Sequence, residues 1–391
     1  MTMSEGGGGR APTDHEAAVR ERRAEDVAHF DERRGVTDRL QHALHVQPAL
    51  VPLIVLTVAV AAFTWWLGSR FPEQLPLIMQ QVQIVGVLAA AQSLIILTAG
   101  IDLSVGAIAV FTSVVMGQAT FRYGLPPAVS IAAGLAVGAG IGAVSGWLVS
   151  RLKLPPFIVT LGMWQIVLAT NYLYSRNETI RSREIQDEAP MLQWLGAKPN
   201  EQLVAWIESS RGIEWEGRRP NDTDSAFLDF LWATNITYGV LVMVVLFLIL
   251  AYALRATAWG RHVYAVGDDP EAAALAGVNV ERTLMSVYVL AGAICGLAGW
   301  IMIGRFGSVS PSASTGVLGN IQSITAVVIG GISLFGGRGS IWGAFFGALI
   351  VGVFELGLRM AGADAQWTYL LIGMLIIGAV GADQWIRKVS A

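Results

Sequence analysis

The chain has 391 residues, of which 54% are hydrophobic and only 14% are charged. Soluble globular domains carry about 25% charged residues, so this composition excludes an ordinary soluble fold. Several uninterrupted apolar runs reach the roughly 20 residues that a helix needs to cross a bilayer. The sequence therefore predicts an all-α, polytopic membrane protein, and its net charge of −3 points to no particular class of partner.

The first 46 residues are polar and charged, and they contain no visible cleavable signal peptide. They include the glycine run Gly6–Gly9 and a charged, helix-prone stretch, Asp14–Arg34. We expect residues 1–46 to form a cytoplasmic tail, partly disordered, ahead of a transmembrane domain over residues 47–390.

Ten apolar segments follow, and we predict a transmembrane helix for each. They lie at about 48–68, 77–98, 103–119, 127–149, 157–175, 237–254, 284–304, 320–335, 341–359 and 367–386. Most Lys and Arg residues of the short loops fall on one side of such a bundle, and basic loops face the cytoplasm. This distribution predicts that both termini are cytoplasmic.

The segment 177–235 is predicted to be the one substantial region on the outer side of the membrane. It is acidic on balance, and Glu201–Ser209 has the spacing of a short amphipathic helix. Its tryptophans are Trp194, Trp206, Trp215 and Trp232. An interfacial helix with aromatic anchors explains this pattern, and so does a docking surface for an external partner.

Glycines recur every fourth residue in the fourth predicted helix and therefore share one helix face. They are Gly134, Gly138, Gly142 and Gly146, and the pairs Gly292/Gly296 and Gly343/Gly347 repeat the spacing. Small residues at this spacing let membrane helices approach closely. We predict that these faces are helix-packing surfaces.

The sequence TAGIDLSVG, Thr98–Gly106, places Asp102 between two apolar runs. An acid at membrane depth is costly and is a candidate for function. Asp102 or Ser104 could instead cap the helix that follows, with Gly100 supplying the turn. The two roles are compatible, because a broken membrane helix usually lines a cavity.

A similar pattern, GGISLFGGRGS, occurs at Gly330–Ser340. Its Gly-Ile-x-Leu core matches residues 100–103, and both patterns follow a Gln-Ser pair, at spacings that differ by one residue. Internal repeats are common in transporters. The match therefore has two explanations, an internal repeat and coincidence.

Polar side chains within the predicted helices are the remaining candidates for a solute pathway. Amides and hydroxyls hydrogen-bond a hydroxylated solute, but they also join helices without any role in transport. The candidates are Asp102, Ser104, Gln83, Gln92, Gln165, Asn171, Asn320 and Gln322. Glu355 is different, because Arg359 lies four residues on, and we predict a neutralising pair on one helix face.

A short polar island, Arg255–Thr283, separates two long apolar runs and carries the start signals of its own helix. Asp268 and Asp269 are suited to cap the N-terminus, and Pro270 is suited to the first helical position. Glu271 adds a negative charge where the helix dipole favours one.

The same island also carries stop signals, because Gly277 and Asn279 can end the helix. A capped helix in a connecting loop of a membrane protein is available to bind another molecule. The pattern therefore indicates a soluble partner.

The chain lacks the phosphate-binding sequence G-x-x-x-x-G-K-[ST], so ATP would have to be bound by another chain. The five histidines form no ligand cluster, and no nucleophile–base pair can be assembled from the sequence. We expect no cofactor, metal or catalytic residue on this chain.

Three motifs occur in order: TAGIDLSVGAI, GRHVYAVGDDPEAAALAGVNV and VVIGGISLFGGRGSIWGAFFGALIVGV. They resemble the permease subunits of bacterial ABC-type monosaccharide importers, the ribose/xylose/fructose group, and the resemblance covers residues 45–390. Two further stretches, LHVQPALVPLIVL and LPPFIVTLGMWQIVLATNYLYSRNETIR, are most similar to fructose-type permeases. The resemblance implies the ABC importer permease fold, with about ten helices, in the bacterial inner membrane.

The resemblance also implies partners. Two copies of the permease would form one pathway as a homodimer, a periplasmic sugar-binding protein would deliver the solute, and a cytoplasmic ABC ATPase would bind ATP and Mg²⁺. Membrane lipid would surround the permease, and nucleic acid is not expected as a partner. The outer segment, about 192–231, looks longer than in typical relatives, so the docking of the binding protein stays open.

In this family the helix of the polar island would be the coupling helix, which sits in a groove of the ATPase. Arg261 and Asp268 would orient the loop around it. The expected coupling residues are Asp268, Pro270, Glu271, Ala274, Leu275 and Gly277.

We therefore expect a permease subunit that moves a monosaccharide by alternating access and is not itself an enzyme. A partner-free secondary transporter or channel is a second hypothesis, but it would need more buried acids. An intramembrane enzyme is a third, but it would need a catalytic constellation. The sequence does not distinguish fructose, ribose and xylose.

Overall fold

Helices dominate the structure, a computed structural model that describes residues 49–199 and 236–390. In chain order they are α1 Leu50–Leu67, α2 Leu75–Leu97, α3 Val105–Phe121, α4 Pro127–Ser150, α5 Pro156–Ser175, α6 Ser182–Glu188, α7 Pro190–Gln193, α8 Tyr238–Ala256, α9 Ala258–Asp268, α10 Pro270–Leu275, α11 Val280–Phe306, α12 Ala313–Ile329, α13 Ile341–Met360 and α14 Ala365–Ser390. The described residues contain no β-strand, and they lie in one compact unit, Pro48–Ala391. The predicted all-α fold class is confirmed.

Seven of the described helices are long and apolar enough to cross a membrane, namely α1, α2, α4, α5, α8, α11 and α13, some with an adjoining 3-10 turn. Two shorter apolar helices, α3 Val105–Phe121 and α12 Ala313–Ile329, and the apolar part Tyr369–Gly378 of α14 lie where the other three spans are predicted. The chain is therefore multi-pass. The count of ten spans and the cytoplasmic location of both termini remain predictions.

The eighth predicted span, 320–335, is wrong at both ends. The helix α12 begins at Ala313, capped by the side chain of Ser312, and its polar first turns are helical because they pack against α3. It ends at Ile329, because Gly331 adopts a φ of +75°. A residue in this left-handed conformation ends a helix, whatever the hydrophobicity of the residues that follow.

The glycine faces pack against neighbouring helices as predicted. A Cβ atom added at Gly138 would collide with the carbonyl oxygen of Gly292, and one at Gly142 would collide with that of Tyr288. The other packed glycines of the repeats are Gly134, Gly146, Gly296, Gly343 and Gly347. Helices α4 and α11 consequently approach backbone to backbone, which is how small residues stabilise helix pairs in lipid.

The connecting segments gather at the two ends of the bundle. At one end, Arg151 Nε lies 3.2 Å from Glu281 Oε2. At the opposite end, Ile180 and Val309 form an antiparallel β-bridge. The loops that carry the predicted cytoplasmic charges share the first end, which we call the inner end.

The described part of the outer segment, residues 177–199, packs onto the opposite end of the bundle. The ring of Trp194 stacks on Tyr238, with centroids 4.5 Å apart, and Gln193 Nε2 donates to the carbonyl oxygen of Gly307 at 2.7 Å. The predicted tail (1–46), the predicted amphipathic helix (201–209) and Trp206, Trp215 and Trp232 lie outside the described residues.

The predicted pairing of Glu355 with Arg359 is confirmed. Arg359 Nη2 donates to Glu355 Oε1 at 2.9 Å, and both side chains are on one face of α13. This ion pair explains how an acid is accommodated in an otherwise apolar helix.

Candidate functional site

The chain breaks between α2 and α3, and the break begins with a left-handed residue. Ala99 has a φ of +60°, the Ala99 N–H donates to Ile96 O at 2.9 Å, and the Gly100 N–H donates to Ile95 O at 3.0 Å. These two bonds are the Schellman arrangement that ends many helices. The prediction that Gly100 supplies the turn is wrong, because Ala99 holds the left-handed conformation.

Asp102 is buried inside the bundle, with 3% of its surface exposed. Asp102 Oδ1 accepts hydrogen bonds from the backbone N–H and the hydroxyl of Ser104, both at 2.6 Å. The Gln92 carboxamide, oriented so that both ends find partners, donates to Asp102 O at 3.0 Å and accepts from Asp102 N at 3.2 Å. The chain after α2 therefore folds back beside Gln92, more than a turn inside the end of that helix.

The N-terminus of α3 is capped by a side chain from another helix. Asn320 Oδ1 on α12 accepts a hydrogen bond from the Gly106 N–H, and Asn320 Nδ2 donates to Leu103 O. The expectation that the side chain of Asp102 or Ser104 caps α3 is therefore wrong. Asp102 bonds to Ser104 instead, within the turn that precedes the helix.

A close backbone contact brings Asn320 within reach of α3. A Cβ atom added at Gly106 would collide with the carbonyl oxygen of Gly316, one turn before Asn320 on α12. Because Gly106 has no side chain, the two helices approach closely enough for the carboxamide to reach the backbone of α3.

Four of the predicted pathway residues thus converge on one polar break, namely Gln92, Asp102, Ser104 and Asn320. The other four lie apart. Gln83 Oε1 accepts a hydrogen bond from the Thr237 hydroxyl at 2.9 Å, and Asn171 is buried in α5. Gln165 is exposed on α5, and Gln322 is half-buried on α12.

Two residues at the break were not among the sequence candidates. The Thr160 hydroxyl donates to Ile101 O at 3.1 Å, and the hydroxyl of Tyr288, a residue 1% exposed, has no hydrogen-bond partner among the described residues. Both lie in long apolar helices, where nothing in the local sequence distinguishes them from packing residues. A Cβ atom at Gly100 would lie 3.2 Å from the Tyr288 hydroxyl, so this side chain reaches the break.

The second break, after α12, ends its helix with the same hydrogen bonds. The Gly331 N–H donates to Val328 O at 3.0 Å, and the Ile332 N–H donates to Val327 O at 3.2 Å. Gly331 and Ala99 are both left-handed and end their helices in the same way, so they occupy equivalent positions. The Gly-Ile-x-Leu match instead aligns Gly331 with Gly100, one residue later. Both segments are helix–break–helix units, which is compatible with an internal repeat.

The polar island contains two helices, α9 and α10, joined at Asp269. Asp269 Oδ1 accepts from the backbone N–H groups of Glu271 at 2.9 Å and Ala272 at 3.0 Å, so it caps α10 as predicted. Asp268 is the last residue of α9 and does not cap α10.

Gly277 ends α10, as predicted, with a φ of +87° and the same pair of terminal hydrogen bonds as the two breaks. Asn279 does not end α10. Its Oδ1 accepts from the Arg282 N–H at 2.9 Å, so it caps the start of α11. The connection between α10 and α11 is short, and Asn279, which could have ended α10, instead caps the start of α11.

The helix α10 projects from the inner end of the bundle. Leu275 is 91% exposed, and only Ala273 of this helix is buried. The other predicted coupling residues, Asp268, Pro270, Glu271, Ala274 and Gly277, are exposed, and so is Arg261. Leu275 is thus an exposed apolar side chain on a short helix that is capped at both ends.

The helix α9 is attached to the bundle by side-chain hydrogen bonds. The Tyr264 hydroxyl donates to Gly339 O at 3.0 Å, and burial raises the pKa of this hydroxyl, which keeps the donor protonated. Trp259 Nε1 lies 2.8 Å from the Ser286 hydroxyl. The exposed helix α10 therefore follows directly after a helix, α9, that side-chain hydrogen bonds hold against the bundle.

A bundle of apolar helices, with a polar break inside and a capped helix exposed at one end, defines a multi-pass membrane transport protein. The chain belongs to the family described as "Branched-chain amino acid transport system / permease component", which matches residues 74–380.

Curated relatives match nearly the whole chain. The Fructose import permease protein FrcC of Rhizobium meliloti is 59% identical over 369 residues, covering 94% of each chain. The Ribose import permease protein RbsC of Escherichia coli K12 is 31% identical and covers 86% of this chain and 93% of its own. The Xylose transport system permease protein XylH of the same strain is 32% identical and covers 84% and 89%. No solved structure matches the chain.

Proposed function

We propose that the chain is the transmembrane permease subunit of an ATP-binding-cassette importer that carries a monosaccharide across the inner membrane. The observation that carries this proposal is the 59% identity with a fructose import permease over 94% of both chains. The more distant relatives are named as ribose and xylose permeases. Fructose is therefore the first sugar to test, and ribose and xylose follow.

The proposal assigns ATP and Mg²⁺ to a separate ATPase, because this chain has no phosphate-binding loop. The exposed face of α10, with Leu275 at its centre, is the proposed contact with that ATPase. Glu271 lies one turn before Leu275 and adds a charge that can give the contact its orientation.

At the opposite end, a periplasmic sugar-binding protein would deliver the solute to the surface that includes α6 and α7. Trp194 is 43% exposed there, although its ring also stacks on Tyr238. A second copy of the chain would complete the pathway, as in the homodimer that the family resemblance implies.

Alternating access is the proposed mechanism. Partners can move a permease only if they bind its conformations with different affinity. The break at Asp102 is the element we assign to this movement, because irregular backbone inside a membrane protein is held by side chains rather than by a continuous helix.

The test is uptake by vesicles that hold the permease with its ATPase on the inside, with the binding protein added outside. We expect uptake of labelled fructose to require all three proteins and internal ATP, and unlabelled fructose to compete better than ribose or xylose. Leucine belongs in the panel, because the family description names branched-chain amino acids. Full-rate sugar uptake by the purified chain alone without ATP would contradict the proposal, and competition by leucine alone would change the substrate class.

A further inference from the structure

Three segments that are far apart in the chain meet at the inner end of the bundle, with backbone against backbone. They are the end of α2, the end of α9 just before the exposed helix α10, and the loop that follows the second break. The Gly337 N–H donates to Leu97 O at 3.0 Å, which joins the first of these segments to the third. We call this contact the glycine junction, and its residues are Leu97, Ala99, Gly267, Gly336 and Gly337.

The glycine junction has no room for side chains. A Cβ atom at Gly267 would collide with the carbonyl oxygen of Leu97 and lie 2.7 Å from Gly337 N. One at Gly336 would lie 2.7 Å from Ala99 N. Real Cβ atoms do not approach backbone so closely, so the three segments are in direct contact, and a displacement of one must displace the others.

The junction lies between the partner-facing helix and the polar break. On one side, Gly267 and Asp268 are followed directly by Asp269, the cap of α10. On the other side, Leu97 and Ala99 lead into the segment that carries Asp102. The Tyr264 hydroxyl, which donates to Gly339 O, clamps α9 to the same loop.

The geometry points to the glycine junction as the element that transmits movement of α10 to the Asp102 break within one chain. Gly267, Gly337 and Tyr264 are positioning residues in this role, since none of them lies at the break itself. This inference rests on the proposed function, because it takes the ATPase as the partner that moves α10. It goes beyond that proposal because it states how movement of α10 reaches the Asp102 break, namely through backbone contacts that involve both breaks.

The test replaces Gly337 with alanine and uses Gly124→Ala as the matched control. Both glycines have a left-handed φ, +68° and +67°, so alanine meets the same unfavourable φ at both. At Gly337, however, the new Cβ would lie 2.7 Å from Asp268 Cα, whereas at Gly124 nothing described lies within 4 Å. The difference between the two variants therefore isolates the contact.

The readout is the accessibility of the break. Cys295 is the chain's one cysteine and is buried, so Cys295→Ala provides a background in which Ile101→Cys is the single thiol. In the assembled complex, trapping the ATP-bound state should change the maleimide-labelling rate at position 101 by about fivefold, the lower end of usual allosteric coupling. Gly124→Ala should preserve that change, and Gly337→Ala should abolish it while the ATPase stays bound.

Tyr264→Phe is the milder variant, in case Gly337→Ala fails to insert. It removes the hydrogen bond to Gly339 and keeps the ring, so we expect sugar moved per ATP hydrolysed to fall by about twofold or more. The inference is overturned if either assembled variant keeps the wild-type labelling change and the wild-type transport ratio. It is also overturned if the fall in transport by the variants is no larger than the fall in the amount of assembled complex. Failure of the wild-type complex to import sugar with ATP would instead refute the proposed function.

Discussion

The carboxamide of Asn320 on α12 holds the backbone of Gly106 at the start of α3, 214 positions away in the chain. The same side chain also binds Leu103 O, so one residue satisfies a donor and an acceptor on either side of the start of α3. A helix that starts inside a bundle needs partners for its first N–H groups. Here a neighbouring helix supplies one, which ties the position of α12 to the conformation of the Asp102 break.

Replacing Asn320 with alanine should destabilise the permease and reduce uptake. The buried Gly106 N–H would be left unpaired, at a cost of about 1–3 kcal/mol, and the half-buried Leu103 O would lose its donor. The measurement is the thermal midpoint in detergent together with uptake by the reconstituted complex. Gln322→Ala, a half-buried change two residues on, is the control and should have little effect; equal losses in both variants would rule out the capping role.

Asp102→Asn should retain more uptake than Asp102→Leu. An asparagine oxygen can still accept hydrogen bonds from the backbone N–H and hydroxyl of Ser104, whereas leucine leaves both donors without this acceptor. The measurement is uptake normalised to the amount of assembled complex. Equal loss in the two variants would show that the negative charge, rather than the turn, is what transport requires.

Gly142→Ala should destabilise the bundle, and Gly140→Ala should not. The first introduces a Cβ that would collide with Tyr288 O on α11, and forcing such atoms into a packed contact costs about 1–3 kcal/mol. The second lies on the same helix, with nothing described within 4 Å of its Cβ, and alanine favours a helix by about 1 kcal/mol over glycine. Thermal unfolding in detergent distinguishes them, and equal midpoints would contradict close packing of α4 on α11.

The double replacement Glu271→Ala and Leu275→Asp should abolish ATP-driven uptake while membrane insertion stays normal. Leu275 is exposed, so the change costs the isolated permease little, but an unpaired charge buried in a protein interface costs about 2–5 kcal/mol. Co-purification with the ATPase measures the contact, and Leu275→Met is the conservative control. Full uptake by the double variant would disprove the coupling role of α10.

The local signals of the polar island predicted α10 well. Asp269 and Gly277 act through hydrogen bonds to residues within a few positions, and Pro270 acts through its own fixed φ, so their effects can be read from sequence. The prediction was wrong where one residue type suits two roles. Asn279 is compatible with ending one helix or starting the next, and its bond to Arg282 N decides between them.

The candidate site was only partly predictable. Polarity in an apolar run singled out Gln92, Asp102, Ser104 and Asn320, and these four do meet. The same criterion also selected Gln165, which is exposed on α5. Periodicity describes the faces of one helix, but the neighbour that each face meets is set by how the helices pack.

The sequence by itself determined that this chain is a helical membrane protein, where most of its helices lie, and that a capped helix interrupts its apolar runs. Those properties depend on hydrophobicity and on hydrogen bonds between near neighbours. Only the tertiary structure decided that Asn320 caps α3 and that Leu97, Gly267 and Gly337 touch. These contacts join residues that are far apart in the chain, and they form only when glycines allow the backbones of packed segments to meet.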